Sequence, residues 1–241
     1  MTDIIVLDVS HWQGKWPGPS TPWAAMARNG IVGVILKATE GTSYVDNTFR
    51  KRYDACIANG IAVASYHFLR HGSIEDQMAN YFETVQPRLG ERMVLDWEDP
   101  AVTADELRKA AAILLDSDIE VAVYGSSSFL TEHLAAVPND ILARTSLWVA
   151  RYSSQEPYWP KDIWPTWSLW QCTDQFMIEG YGPLDGNKFN GSVENCIAWL
   201  NPSGSKPAPG PEPEAKAVNI QITATEGVTV YITVNGEVIS L

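Results

Sequence analysis

Basic residues are scarce: 17 Lys and Arg stand against 29 Asp and Glu, a formal net charge of −12 over 241 residues. A phosphate backbone needs a basic footprint, so this balance excludes a nucleic-acid partner. It equally excludes bulk attraction to an anionic surface. Long apolar runs are also missing. No stretch approaches the ~18–20 residues of a spanning helix, so no membrane insertion is expected. Residues 1–8 lack a basic segment followed by an apolar core, which argues against a signal peptide. The three cysteines, Cys56, Cys172 and Cys196, are odd in number and fit no metal-ligand spacing. Free thiols and synthesis in a reducing cytosol are the simpler expectation. The histidines, His11, His67, His71 and His133, fall at no zinc spacing. Gly125-Ser126-Ser127-Ser128 is not a nucleophile elbow, and Ser126 reads instead as a helix cap. No phosphate-cradling or dinucleotide glycine pattern occurs. No cofactor and no metal are expected.

What is present is a folded, aromatic-rich body. The chain is 45% hydrophobic and 19% charged, with ten Trp and nine Tyr. Indoles are mostly core residues, but exposed ones make flat platforms for sugar rings. Apolar runs of strand length occur at 4–7, 32–36, 61–64, 93–95, 121–123, 147–149 and 169–170. Amphipathic stretches at 21–29, 47–59, 74–85, 103–117 and 126–134 separate the earlier ones. Asn29-Gly30 and Asn59-Gly60 read as helix stops, and Thr103-Ala104-Asp105-Glu106 has capping-box spacing. Strand–helix alternation with continuously apolar strands predicts a parallel sheet covered on both faces. After about residue 140 the helices fade, so the predicted closure is irregular.

Five prolines with Gly and Ser mark 201–216 as an extended linker. Beyond it, 217–241 alternates apolar and polar residues and carries Asn235-Gly236, a type I′ hairpin signal. This predicts a three-stranded meander with one apolar face and too little mass for its own core. The expected organisation is therefore a body over 1–200, a linker over 201–216, and a β segment over 217–241. Homo-oligomerisation through that segment is the expectation, with wall binding as its rival.

The chemistry sits where the apolar runs end. Leu7 leads into Asp8, Leu36 into Lys37 and Glu40, Ala64 into Ser65 and Tyr66, and Leu95 into Asp96 and Glu98. Val123 leads into Tyr124, and Trp170 into Gln171. In a βα barrel such positions converge on one face, where active sites are built. Asp96 and Glu98 form the sharpest pair. Residues i and i+2 of an extended strand share a face, so both carboxylates enter one cavity while Trp97 turns away. Like charges that close raise one pKa, leaving a proton donor beside an anion. Glycosidic bond cleavage requires that combination.

The runs Asp8-Val-Ser-His-Trp-Gln-Gly14, Leu36-Lys-Ala-Thr-Glu-Gly41, Ser65-Tyr-His-Phe68, Leu95-Asp-Trp-Glu98, Val123-Tyr-Gly-Ser126, Leu147-Trp-Val-Ala-Arg-Tyr152, Leu169-Trp-Gln171 and Leu184-Asp-Gly-Asn-Lys-Phe189 together resemble the glycoside hydrolase family 25 lysozymes. The resemblance runs in order from residue 3 to about 200. It implies an α/β fold, an irregular TIM-like (β/α)5(β)3 barrel. It also implies an N-acetylmuramidase cutting the β-1,4 bond between N-acetylmuramic acid and N-acetylglucosamine in bacterial cell-wall peptidoglycan. Glu98 matches the family's general acid/base. Asp96 matches the carboxylate that stabilises a substrate-assisted, oxazoline-like intermediate, with attack by an enzyme carboxylate as the competing account. Asp8 and Asp185 match supporting acids. Lys37, Glu40, Tyr66, Tyr124, Trp148 and Gln171 match the groove lining.

Three departures stand out: Gly125 where many relatives carry Thr, Cys172 where Tyr often follows the Gln, and Gly186 between Asp185 and Asn187. Without an export signal, the resemblance fits a phage endolysin, held in the host cytoplasm until release through a holin and then acting on the wall. A chitinase-like glycosidase and a non-catalytic glycan-binding barrel are the alternatives.

Overall fold

In the computed structural model the described residues are 5–13, 23–88, 91–201, 221–224, 230–234 and 237–240. The elements follow in the order β1 (Val6–Val9), α1 (Trp23–Arg28), β2 (Gly33–Glu40), β3 (Tyr44–Val45), α2 (Phe49–Ala58), β4 (Ala62–Phe68), α3 (Ile74–Val85), β5 (Arg92–Asp96), α4 (Ala104–Leu115), β6 (Glu120–Ser126) and α5 (Ser127–His133). Strands β7 (Ser146–Ala150), β8 (Leu169–Ile178) and β9 (Tyr181–Phe189) follow, and then α6 (Val193–Leu200). Strands β1, β2, β4, β5, β6, β7 and β8 pair in parallel as successive neighbours. Strand β9 runs antiparallel to both β8 and β1 and closes the ring. Five βα units are thus closed by three strands, an irregular (β/α)5(β)3 barrel. Short β3 is an antiparallel appendage on the end of β2.

The period of two along each strand divides the apolar residues between two cores. Val6, Ile35, Ala64, Val94, Ala122 and Leu169 belong to one buried cluster, the barrel interior. Their strand neighbours Leu7, Leu36, Val63, Leu95 and Val123 pack outward with helix residues such as Met78, Leu107 and Leu114. Continuing the alternation by one step takes Val6 to Asp8, Ile35 to Lys37, Ala64 to Tyr66, Val94 to Asp96 and Ala122 to Tyr124. The interior therefore turns polar at the C-terminal ends of its strands.

Local signals behave as the sequence predicts. Gly30 and Gly60 take the left-handed conformation, at φ 73° and 67°, that ends α1 and α2. Thr103 and Glu106 complete the capping box of α4, and Ser126 accepts the Phe129 N–H at 3.3 Å to cap α5. Cys56, Cys172 and Cys196 are free thiols.

Strand lengths depart from the prediction. Strand β2 runs to Glu40 because its ladder with β4 continues through Lys37 opposite Tyr66 and Glu40 opposite Phe68. An apolar-run criterion stops where the lining becomes polar, although the backbone does not. Strand β8 is ten residues long rather than two, as it extends with β9 into a hairpin whose bulges break the alternation.

Helix α6 was not anticipated, and it plugs the barrel floor. Cys196 and Leu200 join the interior cluster, and Arg92 donates Nε to the Trp199 carbonyl at 2.6 Å. Its close approach requires Gly33: a Cβ there would lie 2.1 Å from Leu200 Cδ1.

The chain divides into two units, Met1–Gly210 and Pro211–Leu241. In the second, β10 (Gln221–Ala224), β11 (Val230–Val234) and β12 (Glu237–Ser240) form the expected antiparallel meander. Ile232 is registered with Ile222 on one side and Ile239 on the other. Pairing of Val234 with Glu237 leaves two residues for the turn. The predicted linker beyond Asn201 and the Asn235-Gly236 turn lie outside the described residues, as do residues 1–4.

Candidate active site

All four sequence-predicted acids stand at the C-terminal mouth of the barrel. Asp96 ends β5, and the Trp97 N–H continues the ladder to the Tyr124 carbonyl at 3.0 Å, so the chain stays extended as far as Glu98. Trp97 is turned the other way and fully buried. It packs edge-on against Phe129 with centroids 4.9 Å apart and donates its indole N–H to the Val102 carbonyl at 2.9 Å. This anchor fixes the two carboxylates on the inner side. Gly125 next door accommodates it: a Cβ there would sit 2.9 Å from Leu130 Cδ2 and 3.1 Å from the Trp97 carbonyl. The absence of a Thr at this position is thus matched by the packing of α5.

Asp96 is buried, and its Oδ1 has no hydrogen-bond partner among the described residues. Burial, then the charge of Glu98, holds its carboxyl well above the usual range, with Lys37 opposing. Glu98 is open to solvent at the mouth but walled by protein on its other sides. Burial and then Asp185 raise it, again against Lys37.

Across the β1–β9 seam Asp8 is registered with Asp185, and Asn187, opposite Val6, reaches Asp8 diagonally. Asp8 accepts two hydrogen bonds of 3.0 Å from Gln171 Nε2 and one of 2.8 Å from Asn187 Nδ2. Burial and the neighbouring Asp185 push it up to about 8, against the pull of these amides. Gln171 accepts from Tyr124 at 2.8 Å and from Tyr152 at 3.1 Å, while Asn187 accepts from the Trp148 indole at 2.8 Å. The Tyr124 and Trp148 rings meet at 4.4 Å. Asp8, Gln171, Tyr124, Trp148 and Asn187 therefore close a ring of contacts lining the interior. Asp185 takes a hydrogen bond from Gln13 at 3.2 Å, and burial followed by the charge of Asp174 raises it to about 6.

On the opposite side Lys37 donates to Glu40 at 2.6 Å, and Arg70 joins Glu40 to Asp99 at 2.7 and 3.0 Å. Burial alone would raise Glu40, but hydrogen bonds from Lys37 and Arg70 override it and hold the group ionised. The Tyr66 hydroxyl is held protonated by burial and then by the charges of Asp96 and Asp8. Every predicted site residue is thus drawn to one mouth.

Three cavities open there. One of about 670 Å³ is lined by Trp12, Lys37, Glu40, Tyr44 and Arg70, one of about 290 Å³ by Glu98, Tyr124 and Tyr152, and one of about 520 Å³ by Trp12, Gln13 and Asp185. Trp12, 81% exposed, stands between the first and third, a platform of the kind that stacks sugar rings, whereas Trp97, Trp148, Trp164, Trp167 and Trp170 are core.

Sequence reasoning missed Asn187, Gln13, Arg70 and Tyr152 as site residues. Asn187 carried a readable signal, since it lies two positions from Asp185 in an extended run and shares its face. Arg70 comes from the loop after β4 and Gln13 from a single 3-10 turn, His11–Gln13, and no periodicity places either.

A (β/α)5(β)3 barrel with clustered, proton-retaining carboxylates and aromatic-walled clefts at its mouth defines a glycoside hydrolase. Comparison with known families assigns it further: residues 7–181 match the model of glycosyl hydrolases family 25, and the chain belongs to that family. It is 29% identical over 214 residues to Lysozyme M1 of Streptomyces globisporus, spanning 81% of this chain and 70% of that protein. It is 30% identical to the uncharacterised YegX of Escherichia coli K12, spanning 84% and 75%. The solved bacterial lysozyme from Streptomyces coelicolor superposes with a TM-score of 0.70 at 27% identity, covering 84% of this chain and 99% of that one. The family 25 glycosyl hydrolase of Bacillus anthracis, at 20% identity and a TM-score of 0.67, shares the fold over 81% of this chain and 93% of its own. The protein is a lysozyme-type glycoside hydrolase whose substrate is peptidoglycan.

Proposed function

We propose that the enzyme is an N-acetylmuramidase, cutting the β-1,4 bond between N-acetylmuramic acid and N-acetylglucosamine. Glu98 is the general acid/base, and Asp96 stabilises the charged oxazoline-like intermediate formed by the substrate's own acetamido group. Asp8 and Asp185 support the pair. Lys37, Glu40, Tyr66, Tyr124, Trp148 and Gln171 line the groove. The observation that carries this reading is the Asp96–Glu98 pair itself, one carboxyl buried with an unpartnered oxygen and the other open to a cleft.

Binding would set the protonation states. In the free enzyme, burial favours the proton on Asp96. A sugar seated over the mouth donates its acetamido N–H to Asp96, which favours the anion there, and it strips water from Glu98, which favours the acid. The proton then rests on the carboxyl facing the leaving oxygen. Mass spectrometry of borohydride-reduced fragments released from purified peptidoglycan tests the bond. Reduced N-acetylmuramic acid ends are expected. Reduced N-acetylglucosamine ends would assign a different bond, and binding without release would make the barrel a glycan-binding module.

The same reading places the protein in phage-driven host lysis, held in the cytoplasm until a holin opens the membrane. It assigns 1–200 to catalysis, 201–216 to a spacer and 217–241 to self-association. Removal of 217–241 is expected to lower the particle mass in light scattering while leaving hydrolysis of soluble fragments near the parent rate. Equal monomer masses for both forms would refute self-association, and lost sedimentation with cell walls would make the segment a wall anchor.

A further inference from the structure

Glu98 opens into the 290 Å³ cavity, whose other walls include Ser127, Ser128, Arg151, Tyr152 and Tyr158. Arg151 follows directly on β7, and its backbone N–H is fixed to the Gln171 carbonyl at 2.9 Å. Its guanidinium has only neutral neighbours: the Glu156 carbonyl at 2.5 Å, Gln155 Oε1 at 3.3 Å and the Tyr158 ring at 5.2 Å. The Glu156 carboxylate instead accepts from the Trp167 indole at 3.2 Å.

Lys37 and Arg70, the cations on the other side of the mouth, are paired with acids: Lys37 with Glu40, and Arg70 with Glu40 and Asp99. Among the described residues, Arg151 has no carboxylate at salt-bridge distance. Ser127 adds a second open valence, since it is 4% exposed and its Oγ has no hydrogen-bond partner.

Charge complementarity gives this arrangement a purpose. The protein carries a net −12 and gathers four acids at its mouth, yet by the muramidase reading its substrate strand is itself acidic. An unpaired guanidinium beside the general acid offers such a strand one point of attraction. We propose that the cavity is a carboxylate-binding subsite in which Arg151 grips an acid group borne by the muramoyl unit, so that the enzyme selects acidic wall glycan over neutral amino-sugar polymers. The acid is either the lactyl carboxylate or a carboxylate of the stem peptide. This inference rests on the muramidase reading.

The test compares three glycan strands: peptide-bearing, peptide-free with the lactyl carboxylate exposed, and peptide-free with that carboxylate converted to a methylamide. For the parent enzyme, KM on the methylamide strand is expected to exceed that on a carboxylate strand about tenfold, equivalent to about 1.4 kcal/mol. In Arg151→Gln that ratio should collapse toward one, with kcat less affected than KM, and Arg151→Lys should restore part of it. Selectivity confined to the peptide-bearing strand assigns the stem peptide as the ligand. Equal selectivity on the peptide-free strand assigns the lactyl group. An unchanged ratio in a variant that melts at the parent temperature overturns the subsite. Absence of turnover by the parent on every strand would overturn the muramidase reading instead.

Discussion

Replacing Glu98 with Gln is expected to reduce wall hydrolysis by a factor of about 10²–10⁴ or more, the usual worth of a positioned proton donor. The amide keeps the shape of the side chain but cannot protonate a leaving oxygen. Folding should not suffer. Glu98 is raised by burial and by Asp185, so its charge is disfavoured in the native mouth, and neutralising it removes repulsion rather than a needed contact. The variant should melt at or slightly above the parent temperature near neutral pH while still sedimenting with cell walls. Retention of most of the parent rate would show that the proton comes from another group. Asp96→Asn should be nearly as damaging, because a neutral amide cannot balance the cationic intermediate.

The second large effect is on stability and depends on pH. Asn187 is fully buried and donates to Asp8 at 2.8 Å, so Asn187→Asp places a second carboxyl in a pocket where burial already keeps Asp8 protonated up to about 8, and neither group ionises readily there. The folded variant must keep a proton that the unfolded chain releases above an ordinary carboxylate pKa near ~4. A raised acid pKa in the native state means that stability is greatest at low pH and declines as pH rises towards the folded value. Asp8, raised to about 8, already gives the parent such a decline. The variant adds about one further proton, or ~1.4 kcal/mol per pH unit, so between pH 5 and 8 it should lose roughly 3–4 kcal/mol more than the parent. Denaturant midpoints at the two pH values measure this. A deficit that stays constant with pH would mean that the new carboxyl ionises in the fold as it does in the unfolded chain.

Much of this molecule is legible in its sequence, for identifiable reasons. The five helices between the early strands are announced by amphipathic spacing, and the Thr103 capping box and the Ser126 cap read from the sequence both survive into the structure. Asp8, Asp96 and Glu98 are legible because each follows an apolar run and continues its alternation into the barrel, whereas Asp185 follows no such run and is legible only through the family resemblance. What the sequence hides is set by tertiary pairing. The long β8–β9 hairpin has bulges and half-exposed residues, so no period announces it. Helix α6 is short, and the floor it fills exists only once eight strands have closed. Arg70 reaches the mouth from irregular backbone and Gln13 from one short 3-10 turn. The tail is legible as strands because its alternation and Asn-Gly turn are local signals.

The contact ring at the mouth bears on when the enzyme becomes active. Asp8 lies on the first strand, and its partners Gln171 and Asn187 are 163 and 179 residues further along. No helix covers the last three strands from the connections between them, so side-chain amides and indoles join the opening strand to the closing one. A ribosome-bound chain that has not yet delivered β9 has neither a sealed barrel nor a supported acid at its mouth. Closure of such distant segments is also the slow kind of folding step. Activity in this protein is therefore a late event in its own synthesis, and the appearance of turnover during refolding should track the docking of β9 rather than the earlier growth of helix.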